Sequence, residues 1–415
     1  MTTTVGNNAE VLSIIEEARE LGPELIALRR ELHRVPELDR ELPKTQALVL
    51  DAIAGLDLEV TTGKELSSVV AVLRGGAHDG SGPVVLLRGD MDALPVQELT
   101  GLPFASEHDG RMHACGHDLH VASLVGAARL LHERRAELAG DVVLMWQPAE
   151  ETTAGALAML DEGLLDVAGR PVGAAYCLHV MSAGRPLGTW FARPGPLMGA
   201  SDEFVVRVVG VGGHGSAPHL TRDPIPVACE MVTALQTLVT RRVDINDPVV
   251  LTVGKFAAGT KENIIADEAV FESTIRSFSQ ANRELMAEAV PRLLDGIASA
   301  HGLRADIAWT PGYPVTVNDA DEYLFARETV VDLFGEERYD EVACADPGTE
   351  DFSYVLERVP GAYLSISACT ADDPASAPDN HSARAVFDDS VLPDCAAFLA
   401  EVAARRLSRG SAAAS

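Results

Sequence analysis

The sequence predicts an α/β chain with a mostly parallel sheet and helices on both faces, into which a smaller domain of ferredoxin-like βαββαβ order is inserted. Three observations carry that prediction. Short apolar runs bounded by turn residues alternate with helical stretches over the first part of the chain, the texture changes around Pro194-Gly195-Pro196, and the alternation resumes after Pro311-Gly312. Strands that alternate with helices imply crossover connections, which lay the helices against the faces of a parallel sheet. The expected large domain is residues 1–198 and 312–415, and the expected insertion is 199–311.

Taken in order, Val11, Ile14, Ile15 and Ala18, then Leu25, Leu28 and Leu32, recur at helical spacing. Gly22-Pro23 interrupts them, so two helices are expected to open the chain. The runs 69–73, 84–87, 142–146 and 174–178 are strands by composition, and 119–131 and 155–161 are helices between them. In the insertion a strand at 203–209 leads through a glycine-rich turn, 210–215, to a helix at 225–241. Strands at 249–256 and 269–277, a helix at 282–301 and a strand at 304–309 complete the split-βαβ order. Residues 2–8 and 408–415 are expected to fray.

Composition narrows the function classes. A chain of 415 residues exceeds one ordinary domain, and its 47% apolar content suits a soluble globular protein. The 62 acidic against 33 basic residues give a net charge of −29, a field that repels phosphate backbones and anionic lipid surfaces. Neither nucleic acid nor membrane is therefore expected as a partner. No apolar run approaches the ~18–20 residues of a bilayer span, and the first residues have no basic and apolar leader pattern, so a cytoplasmic location is expected. Six scattered cysteines without a CxxC pair do not form a disulfide framework, and a special cysteine here is a ligand or a nucleophile.

The densest chemistry lies in His113-Ala-Cys115-Gly-His117-Asp118-Leu-His120, which packs one thiol, one carboxylate and three imidazoles into eight positions. Cys115 and His117, two residues apart, can aim soft and borderline donors at one divalent ion. Glu150 and Glu151 follow an apolar strand, at the carboxyl edge where open α/β sheets place their sites. One can bind metal while its neighbour accepts a proton from water. His179 and His381 are unremarkable singly, but with Cys115, His117 and Glu151 they supply donors enough for two ions. Arg276, in an apolar strand, is either an ion-pair partner or a fork for a carboxylate.

Segments matching a known pattern run nearly end to end along the chain: Leu32-His-Arg-Val-Pro-Glu37, Arg88-Gly-Asp90-Met-Asp92-Ala-Leu-Pro95, Met112-His-Ala-Cys-Gly-His-Asp-Leu-His120, Gln147-Pro-Ala-Glu-Glu151, Leu178-His179, Gly213-His214-Gly-Ser-Ala-Pro-His219 and Gly348-Thr-Glu-Asp-Phe-Ser353. The chain resembles the M20 metallopeptidases, in particular their amidohydrolase branch, which includes hippurate hydrolases and indoleacetyl-amino acid hydrolases. Other branches place Asp where this chain has Cys115.

The resemblance implies a zinc-peptidase-like catalytic domain in which Cys115, His117, Glu151, His179 and His381 bind two divalent ions, the Cys115 thiolate bridging them. Zn²⁺ or Mn²⁺ is expected, with Co²⁺ or Ni²⁺ also compatible. Glu150 would be the general base, and Asp90 and Asp92 would orient histidine ligands. Without the resemblance, those two aspartates could equally form an acidic turn facing water. His214 would reach the partner subunit's site to stabilise an oxyanion, and Asn263 and Arg276 would hold a substrate carboxylate. The implied reaction is hydrolysis of N-acyl-L-amino acids, hippurate-like or N-acetyl, by a homodimer formed through the inserted domain. A dipeptidase or carboxypeptidase is the alternative within this class. A catalytically silent metal-binding scaffold is the alternative outside it, and the presence of Glu150 with all five ligands argues against silence. Ala154, Ala266 and Ala383 depart from the family's usual Gly, Pro and Pro at those positions.

Overall fold

The computed structural model describes residues 4–152 and 154–412. They fall into two compact units, one within Met1–Gly195, Val317–Ala343 and Tyr354–Ser415, the other within Pro196–Thr316 and Cys344–Ser353.

The first unit is built on an eight-stranded sheet whose spatial order is Glu59–Thr62, Val69–Leu73, Asp141–Gln147, Val84–Asp90, Ala174–Met181, Gly361–Ser367, Trp190–Ala192 and Tyr339–Glu341. The four central strands, from Asp141–Gln147 to Gly361–Ser367, run parallel. Antiparallel pairs flank them, so the sheet is mixed but mostly parallel. Val84–Asp90, Asp141–Gln147 and Gly361–Ser367 are buried at every residue, because neither face of those strands meets solvent. That double burial is why 84–87 and 142–146 are continuous apolar runs rather than alternating ones.

Register sets where the chemistry emerges. Asp90 lies opposite Gln147, and Arg88 lies opposite Cys177, so the three strands finish at one edge with Asp90, Gln147 and His179 at a common level. His179 stands inside Ala174–Met181 rather than closing it, since Val180 and Met181 still pair with Ile366 and Ser367.

The two expected opening helices are one, Thr4–Arg34, with Pro23 inside. Pro23 is exposed, so the carbonyl its ring leaves unbonded can meet water. Gly22 is buried, where a Cβ would lie 3.3 Å from Pro393 of the helix Leu392–Ala412. Tertiary packing thus carries the helix through a local break signal. The expected frayed ends are also corrected: residues 4–8 belong to Thr4–Arg34 and residues 408–412 to Leu392–Ala412, each propagating from buried turns such as Ile14 and Leu407. Residues 2–3 and 413–415 of those ends lie outside the described residues.

The second unit is a four-stranded antiparallel sheet in the order Val249–Ala258, Glu268–Ser277, Ala200–Val209, Arg304–Pro311. Ala200–Val209 alternates buried and open positions, which turns Phe204, Val206 and Val208 to one side. There they meet Met231 and Leu235 of the helix Pro224–Arg242 and Val290 and Leu294 of the helix Gln280–Ala300. Each such side chain contributes roughly 1.5–3 kcal/mol on burial. Asp223 and Ser279 cap the helices by accepting the Ile225 and Asn282 amides. Cys344–Ser353, which the sequence reading left in the large domain, groups with this unit. No described helix is long and apolar enough to cross a membrane.

Candidate metal centre

At the carboxyl edge of the first unit's sheet, the helix His117–Glu133 opens at Gly116, whose φ of 83° favours glycine. A Cβ there would lie 2.4 Å from Val180 Cγ2, so the approach is reserved for glycine on two counts. The turn sets Cys115 just before the helix and His117 in its first turn. Cys115 Sγ is 3.3 Å from His179 Nε2 and 3.3 Å from His381 Nε2. His381 comes from a distant loop with a φ of 69°, a strained value for a non-glycine residue, and its N–H donates to the Ala114 carbonyl at 2.8 Å. Glu151 Oε1 is 3.2 Å from His381 Nε2 and 3.9 Å from His117 Nε2.

Two donor triads contain Cys115, one with His117 and His179 and one with Glu151 and His381, the donor atoms of each within 4.8 Å of one another, and Asp90 with His117 and His120 forms a neighbouring group of the same spacing. The thiol is common to the first two. A carboxylate oxygen of Glu150 stands within the same distance of His117 and Glu151. All five residues expected as ligands, and Glu150 beside them, are therefore brought together.

The surrounding groups hold these side chains in place. The Asp92 carbonyl lies 2.8 Å from His117 Nδ1, an arrangement that puts the proton on Nδ1 and leaves Nε2 as the donor. The Asp92 carboxylate accepts the amides of Glu150 at 3.0 Å and Glu151 at 3.1 Å. Left-handed residues bracket that turn, Ala149 with a φ of 59° and Ala154 with 55°. Asp90 accepts from Arg88 Nη1 at 2.6 Å and faces His120 Nδ1 at 2.5 Å. Both aspartates are buried, which excludes an acidic turn facing water. Asp92 orients an expected ligand directly, whereas Asp90 turns its carboxylate to His120.

Sequence reasoning gave no role to two residues. His120 belongs to the histidine cluster, but spacing alone cannot separate a ligand from its support. Asn380 left no signal. Its amide donates to the Cys115 and Val180 carbonyls at 3.3 and 3.0 Å and reaches Cys115 Sγ at 3.8 Å, tying the His381 loop to the other two segments.

Electrostatics separate the imidazoles. Burial disfavours the charged form of His117, yet the Asp90 carboxylate and the Cys115 sulfur prevail and raise its pKa well above the usual value. Hydrogen bonds to Cys115 and Glu151 push His381 up to about 10. Burial, reinforced by His120, holds His179 well below its usual value. Burial and then the Glu151 charge push the Cys115 thiol up.

The donor set fits divalent cations. Thiolate, imidazole and carboxylate are the ligands of Zn²⁺ and its first-row neighbours, and His117 Nε2 is buried without a hydrogen-bond partner among the described residues.

His214, Asn263 and Arg276 belong to the second unit. The strand Gly213–His214 pairs with Ile264–Ile265, and the Gly215 amide donates to the Asn263 carbonyl at 2.9 Å, so His214 and Asn263 share one exposed two-stranded ladder. The Ser216 amide donates to His214 Nδ1 at 3.1 Å, which leaves the ring proton on Nε2. Arg276 is half-buried, and its Nη1 donates to Thr274 Oγ1 at 3.1 Å. No carboxylate pairs with it among the described residues.

Residues 86–405 match the model of peptidase family M20/M25/M40. The chain is 35% identical over 379 residues to an N-acetylcysteine deacetylase of Bacillus subtilis, covering 91% of this chain and 96% of that one. It is 34% identical over 396 residues to a hippurate hydrolase of Campylobacter jejuni, covering 95% and 100%. A solved Bacillus subtilis structure described as a dinuclear metal-binding peptidase of the M20 family is similar at 33% identity and a TM-score of 0.79, with 94% and 99% covered. The chain therefore belongs to peptidase family M20/M25/M40, in its amidohydrolase branch, and is a hydrolytic enzyme.

Proposed function

We propose that the protein is a two-metal amidohydrolase that cleaves N-acyl-L-amino acids to a carboxylic acid and a free amino acid. The observation that carries this reading is the pair of donor triads sharing Cys115 Sγ, with the Glu150 carboxylate alongside. Cys115, His117 and His179 would hold one ion, and Cys115, Glu151 and His381 the other. When bound, the ions, Zn²⁺ or Mn²⁺ with Co²⁺ or Ni²⁺ also compatible, supply Lewis acidity to a carbonyl and acidity to a water. Glu150 takes the proton of the attacking water and returns it to the departing amine. Its fixed amide, anchored on Asp92, keeps that carboxylate in reach of both transfers.

His214 supplies the oxyanion donor. Its Nε2–H tautomer and its exposure support a role on substrate bound by a partner subunit. Arg276, without a paired carboxylate among the described residues, and Asn263 would hold the free carboxylate of the amino acid. The strand order of the second unit supports reading it as an inserted ferredoxin-like domain, with the chain after Thr316, apart from Cys344–Ser353, returning to a large domain whose helices cover both faces of the main sheet. The exposed apolar residues Val250 and Phe256 on its edge strand, with Ile264 nearby, support a homodimer formed there. A net charge of −29 supports an enzyme without nucleic-acid or anionic-membrane partners, and the reading places it in the cytoplasm.

The test is amino-acid release from a panel of N-acyl amino acids, their C-terminal amides and dipeptides. Preferential release from N-acyl amino acids with a free carboxylate is expected, and Arg276→Ala should lower kcat/KM on these roughly 10- to 150-fold while hardly changing the poor rate on amides. Preference for dipeptides would move the reading to a peptidase. An equal Arg276→Ala loss on acid and amide would defeat the carboxylate assignment.

A further inference from the structure

His120 is buried between the two histidines of one donor triad, its ring 5.3 Å from that of His117 and 4.7 Å from that of His179. Both of its nitrogens are already engaged. Nε2 accepts the Val180 amide at 2.8 Å, and Nδ1 lies 2.5 Å from Asp90 Oδ1. An amide only donates, so Nε2 carries no proton and Nδ1–H donates to Asp90. No lone pair remains on the ring for a cation.

The register explains why Val180 needs this acceptor. Val84–Asp90 pairs with Ala174–Met181 only as far as Arg88 opposite Cys177, and Val180 lies three residues beyond. A buried N–H without an acceptor is costly, and the imidazole takes the place of the missing strand. Asp90 is itself fixed by Arg88 at 2.6 Å, and Arg88 by Gln147 at 2.9 Å. A continuous buried chain thus runs from Gln147 through Arg88, Asp90 and His120 to the backbone of the residue after His179.

We propose that His120 is not a ligand but the positioning residue of the centre: as the Nδ1–H tautomer it links Asp90 to the Val180 amide and so sets the place from which His179 faces Cys115. This rests on the reading of Cys115, His117 and His179 as metal donors.

The first test is long-range ¹H–¹⁵N correlation on the metal-free protein, with His120 Nε2 identified by its hydrogen-bond scalar coupling to the Val180 amide nitrogen. A neutral Nδ1–H ring that keeps its tautomer and coupling after Zn²⁺ is added is expected. An Nε2–H tautomer, absence of the coupling, or an Nε2 signal displaced by Zn²⁺ overturns the proposal.

The second test uses isosteres. In His120→Gln an amide oxygen can replace Nε2 and accept from Val180, whereas in His120→Asn an amide nitrogen can replace Nδ1 and leaves Val180 unpaired. Zn²⁺ affinity, measured by competition with a chromophoric chelator beside thermal melts, should fall least in His120→Gln, which keeps the Val180 acceptor but loses the donor to Asp90, and fall roughly 10- to 100-fold in His120→Asn and His120→Leu. Equal affinities in all variants, or His120→Gln as weak as His120→Leu at matched melting temperature, overturn the proposal. Wild-type protein that binds no Zn²⁺ defeats the metal reading itself, whereas a wrong tautomer with Zn²⁺ binding intact defeats only this proposal.

Discussion

Glu150 and Glu151 are adjacent, and Asp92 accepts both of their amides. Both carboxylates come near His117, but only Glu151 also reaches His381 and shares a donor group with Cys115, and on the proposed assignment Glu150 is the base rather than a ligand. Glu150→Gln should therefore retain metal and lose roughly 10²–10⁴ in kcat, the usual worth of a general base. Glu151→Gln should lose metal as well as rate, and metal analysis of the two variants reveals any exchange of roles. The raised pKa values of His117, His381 and Cys115 have a second consequence. In metal-free protein these groups hold protons at neutral pH, and a cation must displace them. Affinity should then rise with pH, by up to about tenfold per unit for each proton displaced, until the pH passes the His381 value of about 10. Chelator competition between pH 6 and 8 checks this, and a flat profile would contradict the protonation described.

Among the elements, the strand ends and the turn before His117–Glu133 do most to assemble the centre. Gly116→Ala would combine a left-handed φ with a Cβ 2.4 Å from Val180 Cγ2, so a loss of roughly 1–3 kcal/mol is expected in denaturant unfolding, with weaker metal binding. Unchanged stability and affinity would mean that this turn does not set the ligands. The strands and helices were largely legible as sequence, because doubly buried parallel strands carry apolar runs and strands such as Ala200–Val209 and Glu268–Ser277 alternate. The site was legible as a set of donor types, since Cys115, His117 and the Glu150-Glu151 pair are dense in chemistry. Gly22-Pro23 misled because Pro23 faces water and Gly22 packs on Pro393, a long-range contact that local propensity cannot register. The role of His120 was hidden for a similar reason: its acceptor duty arises from where one strand stops pairing with another. The left-handed Ala149 was equally invisible, since alanine carries no mark of that conformation, whereas the family's usual Gly at the position of Ala154 fits its φ of 55°.

For the whole molecule, the centre closes long stretches of chain, Cys115 and His381 being 266 positions apart. Long-range donors of this kind give a cation leverage over the fold, because binding to the native state alone adds stability. The charge of −29 raises the local concentration of cations and repels anionic substrates. A carboxylate substrate then depends on a local fork such as Arg276 rather than on the overall field. A thiolate that serves two ions must matter to both, and metal content per chain, measured by elemental analysis of wild-type protein and Cys115→Ala after equal loading and desalting, reads this out. Two ions per chain in the wild type and a loss affecting both in Cys115→Ala are expected, since Sγ belongs to both triads. Two ions retained by Cys115→Ala would contradict the shared-thiolate centre.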